Sequence, residues 1–525
     1  MFEFIKSFSF ENVFVFSREV LSIKTMNTSV SSSETKHFSL AISALNKAVS
    51  DTERFGALFV VSNVLKDKSL SCQQNQLLFK SIDPKFLCRL LLSDGKSSDI
   101  PEGCPQYIYQ TIGLSIVSSF FMRIADEIDI KTSVQLLSSM VSVLESLKDK
   151  EQDLDQNENQ MISDIITCFE CFLSSNQIKD IDIETTNNLF ETKFTEILFE
   201  IQTNDKFSQH KNSLKELLLK IAVTFEWIVF DSKSFDPFFD SITEEFKSNF
   251  DKKKFELCHT LNAIIIKNGK HFVKQTNNRS INSITDTIFG ILRNKLNKEL
   301  RDPVLGLTAT LTEVYDGFKW IHSIDGWNQN NCKHFLLLLR LSCIEIAVNF
   351  ESEDIDMSCV ANCFVILEHS VITVANDSEQ MLLLKYFSQQ QVYDMLTAVR
   401  DTMSVIIRYL KRFDDQSTQF DIQSDVFVSI LASIRVLCVW ITEETEALRE
   451  EIADILPFIL RVFKKSSEDN LSINKSIVTA LVSLAENESI KTILINENLI
   501  EVLNRISSSE PNYVLIKELK DLLQK

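Results

Sequence analysis

Nine glycines and seven prolines punctuate the whole 525-residue chain, against ordinary usage of roughly 7% and 5%. Sheets need tight turns every few residues, and parallel strands need short glycine-bearing connections. So sparse a supply points to an all-α chain. The length exceeds what one compact core usually holds, so a repeat array or several domains are expected.

Apolar spacing carries the same message. In "FVSILASIRVLCVWI", Phe427, Ile430, Leu431, Ile434, Leu437, Cys438 and Ile441 recur in steps of three and four, one stripe on a helix. Val428, Val436, Val439 and Trp440 widen that stripe, so this helix is expected to be buried nearly all round. "KHFLLLLRLSCIEIAVNF" (333–350) repeats the pattern through Leu336, Leu339, Cys343, Ile346, Ala347 and Phe350. "FELCHTLNAIII" (255–266) does so through Leu257, Cys258, Leu261, Ile264 and Ile265. Short polar breaks separate such stretches, at 92–105, 147–160, 174–180, 413–425 and 464–470. Long apolar helices alternating with amphipathic ones suit stacked helical layers. The expected fold is an armadillo/HEAT-like α-solenoid, with roughly ten to twelve units of about 40–47 residues. Residues 1–37, Phe-rich and then polar, read as a flexible or dispensable tail, with Met26 a candidate start, and 38–525 as the helical-repeat domain.

The formal charge is −19, from 73 acidic and 54 basic residues. Phosphate backbones need clustered Lys and Arg, so nucleic acid is not the expected partner. Eleven scattered cysteines without framework spacing read as reduced, mostly buried thiols of a cytoplasmic protein. No secretory signal is recognisable at the start. The longest uncharged window, 103–122, contains Pro105, Gln106, Gln110 and four hydroxyl residues; it reads as a buried helix, and no membrane span is expected.

Chemistry-bearing candidates are few. Asp51-Thr52-Glu53-Arg54 follows Ser50, and Ser50 with Glu53 makes a capping box at a helix start. Phe55, Leu58, Phe59 and Leu65 are then expected to face the core. Gly95-Lys96-Ser97 ends like a phosphate loop, but Leu90 stands where the upstream glycine belongs. Cys168 with Cys171, Cys359 with Cys363, and Cys332 with His334 have partial metal-ligand spacing, yet isolated helical cysteines are usually small core residues. In "WITEETEALREEIADILPFILR" (440–461), Thr442 is the expected N-cap, Arg449 pairs locally with Glu446, and Pro457 kinks or restarts the helix. No catalytic motif of known spacing is present. The residues therefore assign no catalytic, cofactor or metal site, no cofactor, and no particular binding face.

Several stretches, taken in order, resemble the neurochondrin family. They are "DTERFGALFVVSNVLK" (51–66), "FLCRLLL" (86–92), "EGCP" (102–105), "KFELCHTLNAI" (254–264), "KHFLLLLRLSCIEIAV" (333–348), "RVLCVWITEETEALREEIADILPFILR" (435–461) and "ESIKTILINENLIEVL" (488–503). The resemblance implies an armadillo-like protein of the cytoplasm, neuronal projections and synapses. It implies action by binding rather than catalysis, as a scaffold or adaptor associated with neurite outgrowth, synaptic plasticity and restraint of calcium/calmodulin-dependent kinase signalling. Kinase or membrane-receptor signalling components are the partners it implies. The alternative is a generic armadillo-type trafficking adaptor for basic peptide segments, marked by an acidic stripe along the stacked inner helices. Family chains continue past the segment resembling 488–503, whereas this sequence stops at Lys525. Its first cysteine is Cys72, so acylation of an N-terminal cysteine is not expected.

Overall fold

The computed structural model describes residues 31–66, 70–93, 107–180, 192–224, 232–248, 252–275, 278–322, 326–376, 385–414, 424–468, 474–505 and 513–524. Every regular element among them is helical. The chain divides into two compact units, Met1–Phe235 and Asp236–Lys525. The reading of Met26 as a start, residues 94–98 and the "EGCP" stretch lie outside the described residues.

The first unit contains α1 (Ser31–Lys47), α2 (Asp51–Val64), α3 (Cys72–Ile82), α4 (Pro84–Leu91), α5 (Ile108–Ile124), α6 (Ile130–Lys148), α7 (Gln156–Leu173), α8 (Thr192–Thr203) and α9 (Lys211–Thr224). The first described helix thus begins seven residues ahead of the boundary read at Phe38. Helices α1, α3, α5, α7 and α9 stack in one row; α4, α6 and α8 stack beside them, each packed on the next member of the first row. Aromatic side chains bind the layers together. Phe79 meets Phe120 edge-on at 5.2 Å, and Phe169 stacks on Phe194 at 4.6 Å. Polar caps start the helices: Ser71 with Gln74, and Asp155 with Glu158, form reciprocal capping boxes.

Helix α10 (Ser232–Ser248) carries the chain into the second unit. There follow α11 (Lys252–Gln275), α12 (Asn278–Leu292), α13 (Lys298–Val314), α14 (Lys319–His322), α15 (Gln329–Glu351), α16 (Met357–Ala375), α17 (Gln389–Asp414), α18 (Asp425–Glu443), α19 (Arg449–Glu468), α20 (Asn474–Ala485), α21 (Glu488–Asn496), α22 (Leu499–Arg505) and α23 (Tyr513–Gln524). One row runs α11, α13, α16, α18, α20, α23, and the other runs α15, α17, α19, α21. Two rows of stacked helices, cross-packed pair by pair, are the layer plan of an α-solenoid.

The most enclosed helix is α13, buried continuously from Val304 to Thr312 between α11 and α16. Its buried hydroxyls need partners inside the helix. Thr308 donates to the carbonyl of Val304 at 2.8 Å, and Thr312 to that of Thr308 at 2.9 Å. Gly306 faces α16, where an added Cβ would sit at an ordinary contact distance of 3.4 Å from the Asn362 amide.

The charge-rich stretch 440–461 is two helices rather than one. Thr442 lies in the last turn of α18 and donates to the Cys438 carbonyl at 2.9 Å, so it is not an N-cap. The Glu444 carboxylate instead accepts from the amides of Glu446 and Ala447, at 2.8 and 3.1 Å. That one carboxylate oxygen satisfies two amides otherwise orphaned at the helix start. Arg449 does pair with Glu446. Helix α19 continues through Pro457, with Ile455, Leu456 and Phe458 buried around it.

Candidate binding surface

In the charged quartet at 51–54, Asp51 and Arg54 tie α2 to its neighbours and Glu53 caps the helix start. Ser50 accepts from the Glu53 amide at 3.2 Å, while Glu53 reaches back to the Val49 amide at 2.7 Å, one residue beyond a standard capping box. Asp51 receives both Nε and a terminal nitrogen of Arg89 on α4, at 2.9 and 2.8 Å. Those bonds from Arg89 hold the Asp51 carboxyl below its usual range. Arg54 reaches Asp83 at 3.3 Å. Asp83 has φ of 70°, and its carboxylate also accepts from the Lys85 amide at 3.1 Å, local bonding that offsets the left-handed backbone. Of the residues expected to face the core, Leu58 and Leu65 are buried, while Phe55 and Phe59 are half-buried and meet each other edge-on at 5.6 Å.

The cysteine candidates are core or near-core groups. All ten described cysteines are free. Burial pushes the Cys168 thiol well up, and also raises half-buried Cys171. A hydrogen bond with Cys359, reinforced by burial, raises Cys363. Cys332 is pushed up to about 11 by burial. His334 turns to other company: its ring stacks on Phe289 at 3.8 Å, and Nε2 faces the Arg293 guanidinium at 2.7 Å. Burial and that cation lower its pKa to about 4. Among the described residues, no three His, Cys, Asp or Glu side chains converge as a metal set.

Helices 108–127, 357–375 and 426–443 are long and apolar enough to cross a membrane, by length and composition. In the structure about half of each stretch is buried within its unit. Gln110, for example, is buried and donates its amide to the carbonyls of Leu91 and Ser93, at 3.0 and 2.8 Å.

The other halves of the last two helices make one continuous surface of the second unit; a second exposed apolar set, Ile344 and Val348 on α15 with Tyr393 and Leu396 on α17, lies elsewhere in that unit. On α18, Val436 and Trp440 are buried, but Val428 is 58% exposed and Leu431, Ala432 and Val439 are half-buried. The expectation of burial all round therefore fails on one side, where α16, α17 and α20 leave α18 uncovered. The steps from 428 to 432, 435 and 439 form a stripe. A matching stripe on α16 comprises Ala361, Val365, Glu368 and Ile372, with Ile372 45% exposed. Arg435 joins the two stripes by donating Nε and a terminal nitrogen to Glu368, at 3.2 and 2.8 Å. Two apolar stripes at helical spacing around one ion pair are what a partner's apolar helix or segment fits.

A model of the family described as neurochondrin matches residues 33–521. The chain belongs to the neurochondrin family. The neurochondrin homolog of Drosophila melanogaster is 26% identical over 442 residues, covering 81% of this chain and 56% of that protein. Gallus gallus neurochondrin is 23% identical over 464 residues, covering 86% and 61%. For Homo sapiens neurochondrin the figures are 23%, 437 residues, 82% and 54%. The chain thus spans a little over half the length of these neurochondrins. In fold, it is similar to a solved chain from work on the interaction between cadherin and beta-catenin, with TM-score 0.50, 10% identity, and coverage of 98% of this chain and 95% of that one. The armadillo/HEAT-like α-solenoid expected from the sequence is therefore the fold of this neurochondrin-family chain.

The stretches that carried the family resemblance fall on α2, α4, α11, α15, α18 with α19, and α21 with α22. They are core and cap patterns. Glu368 and Arg435, which organise the surface, were not legible beforehand, because 67 residues separate them and only packing brings them together.

Proposed function

We propose that this neurochondrin-family protein is a non-enzymatic scaffold that binds signalling proteins through the α16–α18 face. The observation that carries the proposal is the pair of solvent-facing apolar stripes joined by Arg435 and Glu368. Exposed apolar surface of this coherence on a soluble fold marks a contact site. No side-chain constellation in the described residues offers a competing chemical role, and the quartet, the cysteines and His334 are all engaged in packing. Family membership supports the finer reading: a cytoplasmic protein of neuronal projections and synapses, associated with neurite outgrowth and synaptic plasticity, whose partners are kinase or membrane-receptor signalling components.

A trafficking adaptor for basic segments finds less support. That role needs a run of open carboxylates along one row of helices. On the α16–α18 face the described carboxylate within the stripes is Glu368, already engaged by Arg435 among Val365, Ile372, Val428 and Val439.

The test is affinity capture from neuronal cells with the full chain, comparing wild type with Ile372→Glu combined with Val428→Glu. Tyr393→Asp, on exposed α17 surface, serves as the control. The expected result is loss of specific partners with the double variant, retention with the control, and unchanged thermal unfolding in both. Equal capture by all three proteins refutes the assignment of the face. Turnover of a substrate by purified protein, abolished by one side-chain substitution, refutes the scaffold role itself.

A further inference from the structure

The first unit carries an open apolar groove on the surface of α1 and α3. Phe38 and Ile42 from α1 and Leu77 from α3 form its floor, Ser43 and Asn46 its polar margin, and Lys47 one end. Its volume is about 450 Å³, within the range of sites that bury small groups. Leu77 is 51% exposed and nearby Leu40 36%. The end layer of a helical stack needs a cover that an inner layer receives from its neighbour.

The segment ahead of α1 has the matching chemistry. Phe2, Phe4, Phe8, Phe10, Phe14 and Phe16 occupy alternate positions, and alternation of this kind puts side chains on one face of an extended chain. Glu3 lies between the first two and Glu11 follows the fourth, against one cation, Lys6; the segment 2–16 is thus net acidic, suited to the Lys47 end of the groove. We propose that residues 2–16 of this same chain occupy the α1–α3 groove, seating a Phe-x-Phe pair on Phe38, Ile42 and Leu77.

The connection is long enough. Residues 17–30 supply fourteen links, about 50 Å when extended. Ile42 lies eleven residues along α1 from Ser31, about 16 Å at the helical rise. The segment can therefore fold back onto the helix it precedes without strain.

Hydrogen–deuterium exchange on the full chain tests this. Wild type is compared with Phe4→Ser/Phe8→Ser/Phe10→Ser and, separately, with Leu77→Glu; circular dichroism and thermal unfolding establish that each variant keeps its fold. The expected result is exchange in residues 2–16 at least about tenfold slower in wild type than in either variant, with protection unchanged on dilution. Equal exchange in all three proteins overturns the proposal. So does protection that disappears on dilution, which assigns the groove to a second copy. Intact-mass measurement of protein from its native source adds a third arm: a chain beginning at Met26 lacks the occupant and overturns the proposal as well.

Discussion

The buried ion pair between Arg301 on α13 and Glu345 on α15 permits a prediction that separates two accounts of what such a pair contributes. The side chains meet at 2.9 Å, with Glu345 only 5% and Arg301 25% exposed. Burial raises the Glu345 pKa, while Arg301 pulls it back; burial also raises neighbouring Asp302, and Lys298 is held by Asp356 at 3.1 Å. Replacing Arg301 by Leu leaves a desolvated carboxylate near a second one, a change that costs about 3–5 kcal/mol. In a unit of 290 residues (236–525) that is a fall of roughly 6–10 °C in its unfolding midpoint. Replacing both residues, Arg301→Leu with Glu345→Leu, removes the stranded charge and restores most of the loss.

The pH dependence follows with a definite sign. Glu345 has a folded pKa above its unfolded value, so the folded state retains a proton over the window between them, and stability falls as pH rises through it. Without Arg301 the window widens upward. The single variant's deficit should therefore shrink as pH is lowered and the carboxylate takes its proton. Tryptophan emission of a Trp227→Phe background is the readout, since the other three tryptophans, Trp320, Trp327 and Trp440, all lie in the second unit. A double variant no more stable than Arg301→Leu alone would mean that the pair's geometry, rather than relief of a stranded charge, sustains α13 on α15, and the reasoning would be wrong.

Three further outcomes are expected. Asp51→Asn should lower stability by no more than about 1 kcal/mol, because Asp51 and Arg89 are each more than half exposed; the folded Asp51 pKa is lowered, so this small contribution is lost as pH falls through it, and a thermal scan in high salt should erase the difference at neutral pH. His334 stays neutral down to about 4 against about 6.5 unfolded. Stability should therefore decline as pH falls from 6.5 towards 4, by up to about 3 kcal/mol, and His334→Gln should flatten that part of the acid limb in a pH series of denaturant titrations. Native alkylation followed by peptide mass spectrometry should label exposed Cys72 first, with Cys168, Cys258, Cys332, Cys343, Cys359, Cys363 and Cys438 protected until unfolding.

Much of the fold was legible because stacked helices are local. Helical spacing at Leu257, Cys258, Leu261, Ile264 and Ile265 marks a stripe that is buried in α11, and neither strand pairing nor loop closure is needed to find it. Ser50 likewise announces the start of α2 from three residues away. Failures cluster where burial depends on which neighbour is absent. Val428 and Val436 are both valines on one apolar helix, yet Val436 is 2% exposed and Val428 58%. Composition gives no means of telling them apart. The difference arises from the stacking of α16, α17 and α20 around three sides of α18.

The same reasoning explains why the candidate surface resembles core when read as sequence. In a solenoid, each helix within a row is enclosed by the helices before and after it and by one from the other row, and its remaining face meets solvent. A polar residue on that face reads as an ordinary amphipathic boundary; an apolar one merges into the core stripe. On α16 and α18 the open faces carry Val365, Ile372, Val428 and Val439, with Arg435 and Glu368 as the polar interruption. Burying such side chains against a partner stabilises a complex by about 25 cal/mol for each Å² removed from water, while in the free protein their exposed portions add nothing to the fold. Their exposure on an otherwise acidic chain of net charge −19 is the physical reason to assign contact as their role.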